Sequence, residues 1–467
     1  MSNNNATHRK IFTLTGVTLL IGVILRVWVA SHFQIRVWID EVWVVLSPAY
    51  HLLTGVSAFN EEWSQGIRDW IPPLLFKAIL KFLHAAGLSR GSSALFGVRI
   101  LIAGAQTASI LYFCQYLIGR MRISRHAWLL FFVLLLTPEL IHFASSADLS
   151  VIALPFLLFG IVFFDADEKR GNCNSKVHLG AALLSFSALI RFQFALFPLC
   201  FLIFLIAKKK FKKAMHLTSI GIGFILLDLY VNHFMTGQML FPMYRYFTLN
   251  TVGGLASSYG VTPFYFGFEL LWKFVTEPVF ILAALFSFFT YKKMPALVCA
   301  SLVFYLLHLS VGHKEYRFFY GSAVLFAAIG TAGFLSANLN SKWIASFFIL
   351  FLCVAGFRTV KKIDWHSFEI PSKLETLAGE QKDVRGLITV GWGGIYQGAN
   401  YFFHQPLPYL FAENKNQLIS KQANPALYSH LIVPAHEIAP CAKMIQEERG
   451  GKLYACDFAE IKRYLTP

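Results

Sequence analysis

The stretch IFTLTGVTLLIGVILRVWVA, Ile11 to Ala30, decides the class of fold. At about 20 residues it has the length of a bilayer crossing. It lacks a small-residue cleavage pattern, and many further apolar runs follow it. It is therefore expected to be a retained first membrane helix and not a signal peptide. The composition agrees: of 467 residues 56% are hydrophobic, 16% aromatic and 14% charged, against about 25% charged in ordinary soluble domains. The mean hydropathy is +0.56. The formal charge of +16 sits beside the apolar runs, which favours lipid headgroups as its partner over nucleic acid. The 7 cysteines form no CxxC pair and no zinc-like spacing, although Cys441 and Cys456 could pair.

Lys/Arg bias orients the runs. Arg9 and Lys10 put the N-terminus on the cytoplasmic side. A second span, roughly Ser93 to Ile118, returns to Arg120, Arg122 and Arg125. Trp128 to Ile141 and Leu149 to Phe164 follow as shorter runs. Leu179 to Ala207 reads as two short helices joined near Arg191, which keeps the KKKFKK block cytoplasmic. Met215 to Tyr230, Trp272 to Thr290, Ala296 to Leu309, Phe318 to Phe334 and Trp343 to Ala355 complete about 11 spans, with the C-terminus outside. Three less apolar segments then share the outer side: Ser31 to Ser92, Asn232 to Leu270, and the tail from about Asp364. In the tail, GLITVGW and HLIVPAH read as strands, while PSKLETLAGE and EIAPCAKMIQEERG read as helices, which suggests a small α/β domain.

The outer segments carry the chemistry. WIDEVWVVLSPAYHLLTG, Trp38 to Gly55, places Asp40 and Glu41 beside an apolar interfacial helix. Asp40 either caps that helix or serves as a general base close to the lipid. NEEWSQGIRDWIPPLLF adds Glu61, Glu62, Trp63, Arg68, Asp69 and Trp70. FPMYRYFTLNTVGGLASSYG supplies aromatics, Tyr244 among them, with Asn250, Ser257 and Ser258, a mixture suited to a sugar or prenyl headgroup. SVGHKEYRFFYG concentrates His313, Lys314, Glu315 and Arg317 where lipid should begin. Glu315 offsets one cation only, so a bound anion such as phosphate would supply the rest.

Taken in order, WIDEVWVVLSPAYHLLTG, FNEEWSQGIRDWIPPLLF, FPMYRYFTLNTVGGLASSYGVTPFYF and GHKEYRFFY resemble the glycosyltransferase family 22 enzymes, the Alg9-like and GPI mannosyltransferase group, over residues from about 15 to 335. The resemblance implies a polytopic GT-C helical fold over 1–360, with outer loops at 31–92 and 232–270, and an extracytoplasmic α/β domain over 361–467. It also implies an inverting transfer of a sugar, mannose in this family, from a polyprenyl-phosphate donor to a glycan or glycolipid acceptor at the outer or lumenal face. The setting would be a bacterial inner membrane or an endoplasmic reticulum membrane. Carried over by motif, Asp40 and Glu41 are the catalytic carboxylates, with Asp40 the base. Glu62, Trp63, Arg68, Arg191, Tyr244, Asn250, His313, Lys314, Glu315 and Arg317 are the binding residues. No cofactor or metal is called for, because the cationic cluster can stabilise phosphate. Trp38 and Ile39 stand where the family has His-Pro, Asp69 stands where it has Ser, and SSADLSV lacks the family's arginine. The competing readings are a transporter or flippase of lipid-linked saccharides, which would call for mid-membrane charges and repeats, and a non-catalytic membrane scaffold.

Overall fold

The computed structural model describes residues 2–32, 41–55, 61–88, 91–123, 126–165, 175–239, 241–258, 260–274, 277–337, 339–361, 374, 377–378, 381, 383–391, 409–412, 415–420, 424–434, 439–441, 443–448 and 451–465. Asp40 lies outside the described residues, as does most of the 371–380 helix expected from sequence. The first helix, α1 (Ser2–His32), contains the opening stretch. A π-helical turn (Glu41–Leu46) then runs into α2 (Ser47–Thr54), which ends at Gly55 in the left-handed region, φ 78°. After the single turn α3 (Glu61–Ser64), α4 (Ile71–Ala85) begins on Pro72 and Pro73. Proline fits this first turn because the N–H it lacks would have had no intrahelical acceptor there.

The bundle continues with α5 (Gly91–Met121), α6 (Trp128–Leu136), α7 (Pro138–Phe143), α8 (Leu149–Asp165), α9 (Ser175–Ile190), α10 (Leu196–Ala207) and α11 (Phe211–Thr236). Arg191, extended at φ −134° and ψ 98°, interrupts the chain between α9 and a short 3-10 turn before α10. The break falls where the sequence reading placed it. Short helices α12 (Pro242–Tyr246) and α13 (Leu255–Ser258) precede α14 (Phe266–Phe274), α15 (Glu277–Tyr291), α16 (Pro295–Ser310), α17 (Tyr320–Ser336) and α18 (Ser341–Lys361).

Among the described residues five helices are long and apolar enough to cross a bilayer, and a sixth if the pair α14–α15, bent by 107°, is one span. Five shorter apolar helices of 10–17 residues accompany them, so a total near eleven requires these to reach across as well. The span Arg317–Ser336 is 89% buried and forms the centre, whereas Phe211–Thr236 is 17% buried and turns most of its surface outward. Small residues allow the close packing. A Cβ on Gly180 would lie 2.3 Å from the backbone of Phe164, so α9 and α8 approach there to a distance only glycine permits.

Beyond the helices lies a mixed five-stranded sheet of β1 (Leu387–Val390), β2 (Tyr409–Ala412), β3 (His430–Pro434), β4 (Lys443–Glu448) and β5 (Gly451–Ala455), in the order β2-β1-β3-β5-β4. The strand β1 is parallel to both neighbours, and β5 is antiparallel to both of its own. The short α19 (Lys415–Ser420) follows β2, and α20 (Phe458–Leu465) buries Ile461 and Tyr464 against Ile388, Val390 and Leu431. On the other face Leu374 and Ala378 pack on Leu387 and Ile432. Burial on both faces explains why LITV and HLIV are continuous apolar runs. One expectation is corrected here. The helix read over EIAPCAKMIQEERG is replaced by β4, because Lys443–Glu448 pairs along β5 and Cys441 is bridged to Cys456. Long-range pairing overrides the helix preference of Lys, Met, Gln and Glu.

Candidate active site

Glu41 is fully buried at the start of the π-helical turn. It faces Arg99 Nη2 at 3.3 Å, accepts the Ala147 N–H at 3.0 Å, and meets Ser146 Oγ at 3.4 Å. The carboxylate thus ties the segment after Asp40 to α5 and to the turn before α8. Its geometry is that of a clamp, and it holds the backbone next to Asp40 in place.

An open pocket lies between this segment and α11. Its walls include Val44 from the π-helical turn, Arg68 and Asp69 from the turn before α4, Arg191 and Gln193 from the α9–α10 break, Asp228 from α11, and Tyr246 from α12. Arg68 is neutralised by Glu62, with Nε to Oε2 at 2.8 Å, and its guanidinium carbon lies 5.9 Å from the Tyr246 ring. Trp63 packs on Trp70 with ring centroids 4.6 Å apart. Arg191 is different. It is 4% exposed, its guanidinium carbon lies 5.3 Å from the Phe318 ring, and its Nη2 has no hydrogen-bond partner among the described residues. A buried guanidinium among the residues lining a pocket is suited to an anion.

The same cavity is lined by a carboxyl pair. Asp69 and Asp228 are bridged by the Asn232 side chain. Asn232 Nδ2 donates to Asp228 Oδ1 at 2.8 Å and to Asp69 Oδ1 at 3.3 Å, and the Ile71 N–H donates to Asp69 Oδ1 at 2.8 Å. Removal from water, reinforced by the neighbouring Asp228 carboxylate, holds the Asp69 carboxyl well above the usual range.

The stretch His313–Arg317 folds back on the preceding loop. His313 Nδ1 contacts Gly260 O at 3.1 Å and its Nε2 meets Glu315 Oε1 at 2.7 Å. Arg317 pairs with Glu315, Nε to Oε2 at 2.8 Å. Buried Lys314 donates to Val311 O at 2.7 Å and Thr262 O at 3.0 Å, and burial lowers its pKa. In this conformation the Lys314 ammonium is engaged by the loop and not offered to the pocket. The link to the pocket is Phe318, whose ring lies 5.4 Å from the Arg317 guanidinium as well as beneath Arg191. Tyr244 is exposed, and Asn250 is buried in the π-helical turn Phe247–Val252 with Nδ2 unpartnered among the described residues. Neither lines the pocket.

Arg68 and Arg191 are therefore brought into one cavity; Glu62 holds Arg68, and Arg317 shares the Phe318 ring with Arg191. Trp63, His313, Lys314 and Glu315 are not among its lining residues. Sequence reasoning passed over Asp228, Arg99 and Gln193. The first two had a signal, since a charge inside an apolar run is a functional or paired residue by default. Gln193 had none.

The model of the Alg9-like mannosyltransferase family matches residues 17–381. Among relatives, GPI alpha-1,2-mannosyltransferase 3 of Xenopus laevis is 24% identical over 332 residues, covering 65% of this chain and 56% of that protein. GPI mannosyltransferase 3 of Yarrowia lipolytica is 23% identical over 326 residues, covering 68% of this chain and 62% of its own length. The chain thus spans less than two thirds of either relative. In fold it is similar to ArnT from Cupriavidus metallidurans bound to undecaprenyl phosphate, with a TM-score of 0.63 at 11% identity over 94% of this chain and 97% of that one. A GT-C helical fold and a family match over most of the sequence lead to one conclusion: the chain belongs to the Alg9-like mannosyltransferase family.

Proposed function

We propose that this protein is an inverting glycosyltransferase that moves mannose from a polyprenyl-phosphate donor to a glycan or glycolipid acceptor. Transfer takes place at the outer or lumenal face of the membrane, with the N-terminus cytoplasmic and residues 361–467 forming an extracytoplasmic α/β unit. The observation that carries the proposal is Arg191, a buried guanidinium with an unpartnered Nη2 in a pocket that begins within a few residues of Asp40. Family membership and the family-matched position of Asp40 support it. The Cys441–Cys456 bridge favours an oxidising compartment for the sheet.

In this mechanism Asp40 takes the proton of the acceptor hydroxyl, and the hydroxyl oxygen attacks the anomeric carbon. The bond from that carbon to the phosphate oxygen breaks, and its electron pair leaves with the lipid phosphate. Arg191 stabilises the charge that develops there. One carboxylate on the face opposite the leaving group is what inversion needs. The test is transfer by purified protein in lipid nanodiscs, supplied with polyprenyl-phosphate mannose and a panel of glycan acceptors. Wild type should transfer with inversion, and Asp40→Asn should lose roughly 10²-fold or more while melting as wild type does. Full turnover by Asp40→Asn would remove Asp40 as the base.

A further inference from the structure

Asp69 and Asp228 are placed where a glycan-processing pocket has most use for acceptors. The two carboxyl groups line the cavity and are bridged by the Asn232 amide. Gln193 reaches the same cavity with a buried Oε1 that has no partner among the described residues. Arg191, nine-tenths buried, adds an unused donor. The rings of Phe192 and Tyr246, with centroids 4.8 Å apart, complete an apolar wall. An apolar wall of two rings tilted by 54°, several acceptors and one fixed cation match a hexose carrying or adjoining a phosphate: ring C–H groups against the aromatics, hydroxyls donating to the carboxyl groups and the amide.

We propose that the Asp69–Asp228 pair is a specificity-determining subsite that reads sugar hydroxyls in the transfer reaction. This rests on the glycosyltransferase reading above. Asp69 and Asp228 both line the cavity, so a sugar hydroxyl can donate to a carboxyl oxygen of either. Burial of Asp69 keeps its proton in place under conditions where an isolated carboxyl would lose it. The resemblance places serine at position 69 in the family, where this chain has Asp69. Asn232 and the Ile71 N–H hold Asp69 in register with Asp228, which gives the pair a fixed geometry to present to a ligand.

The sugar can be the donor's mannose or a hexose of the acceptor, and one experiment separates the two. Transfer is measured with donors each lacking one mannose hydroxyl, and in parallel with acceptors each lacking one hydroxyl on the accepting residue. Wild type should reject one analogue, in one panel only, by roughly 10- to 100-fold, the worth of a hydrogen bond to a charged group. Asp228→Asn and Asp69→Ser should bring that ratio close to unity, whereas a merely structural role would slow intact and deoxy substrates alike. Equal tolerance of every analogue by wild type, or unchanged ratios in both variants, would overturn the inference. If the intact donor supports no transfer, the functional reading has failed. The subsite is then judged by the fluorescence of the Trp63–Trp70 pair titrated with decyl mannoside and its deoxy forms. A wild-type preference of at least about tenfold that Asp228→Asn abolishes would sustain the subsite, and equal titration of all forms would overturn it.

Discussion

Glu41 and Arg99 meet at 3.3 Å with their side chains 0% and 3% exposed, joining the segment next to Asp40 to the long helix α5. A pair in such surroundings is stable only while both partners remain, because either alone is an uncompensated buried charge. Glu41→Ala or Arg99→Ala should each destabilise the protein by about 3–5 kcal/mol. The double variant should lose less than the two singles combined. Thermal unfolding in detergent across the four proteins measures the coupling, and full additivity would show that the pair does not act as a unit.

The carboxyl pair gives a pH dependence whose sign follows from Asp69. Its folded pKa is raised above the ordinary 3.8, so the stabilisation it supplies is complete below that value. It is lost as pH rises through the raised folded pKa. Arg68 and Arg191 line the same pocket. The melting temperature of wild type minus that of Asp69→Asn should therefore fall as pH rises above the ordinary carboxylate range. A difference that grows with pH would contradict the upward shift at Asp69.

The loop contacts of the His313–Arg317 stretch make a separate prediction. Lys314 holds the carbonyls of Val311 and Thr262, and Thr262 N–H in turn donates to Gly312 O at 2.9 Å. Lys314→Met preserves the aliphatic stem and removes the ammonium. Amide hydrogen exchange at Val261 and Thr262 should quicken roughly tenfold or more, the loss of about one net hydrogen bond's worth of local stability. Unchanged protection would show that the backbone contacts alone hold the loop.

Reduction tests the sheet. The bridge from Cys441, just before β4, to Cys456, just after β5, closes a loop with a sequence separation of 15 that contains both strands. A loop of that size contributes about 3 kcal/mol in the chain-entropy picture. Mild reductant should make residues 443–456 protease-sensitive before the helices unfold, as read by limited digestion and mass spectrometry. Digestion of both at the same reductant concentration would count against it.

Much of the membrane architecture was legible in the sequence because lipid demands long apolar runs flanked by Lys and Arg. The break at Arg191 was legible for the same reason, since an unbroken helix would have put KKKFKK on the wrong side. The pocket was legible only in part. Arg68 and Arg191 come from segments far apart in sequence, and nothing local reveals that Asp69 meets Asp228 across the bundle. The strand β4 was misread because its local preference is helical and its partner β5 was not recognised. Glu41 and Lys314 illustrate a further limit. A charge near a membrane edge invites a catalytic role, yet each is engaged by protein groups that only the fold brings near.

The central claim is that Arg191 receives the donor phosphate, and its most direct measurement is mannosyl transfer by Arg191→Ala and Arg191→Lys in nanodiscs. The account predicts that Arg191→Ala loses roughly 10²–10³-fold in kcat, the scale of removing one donor that stabilises developing charge, and that Arg191→Lys recovers part of it. Transfer by Arg191→Ala at the wild-type rate, with the wild-type KM for the polyprenyl-phosphate donor, would contradict it.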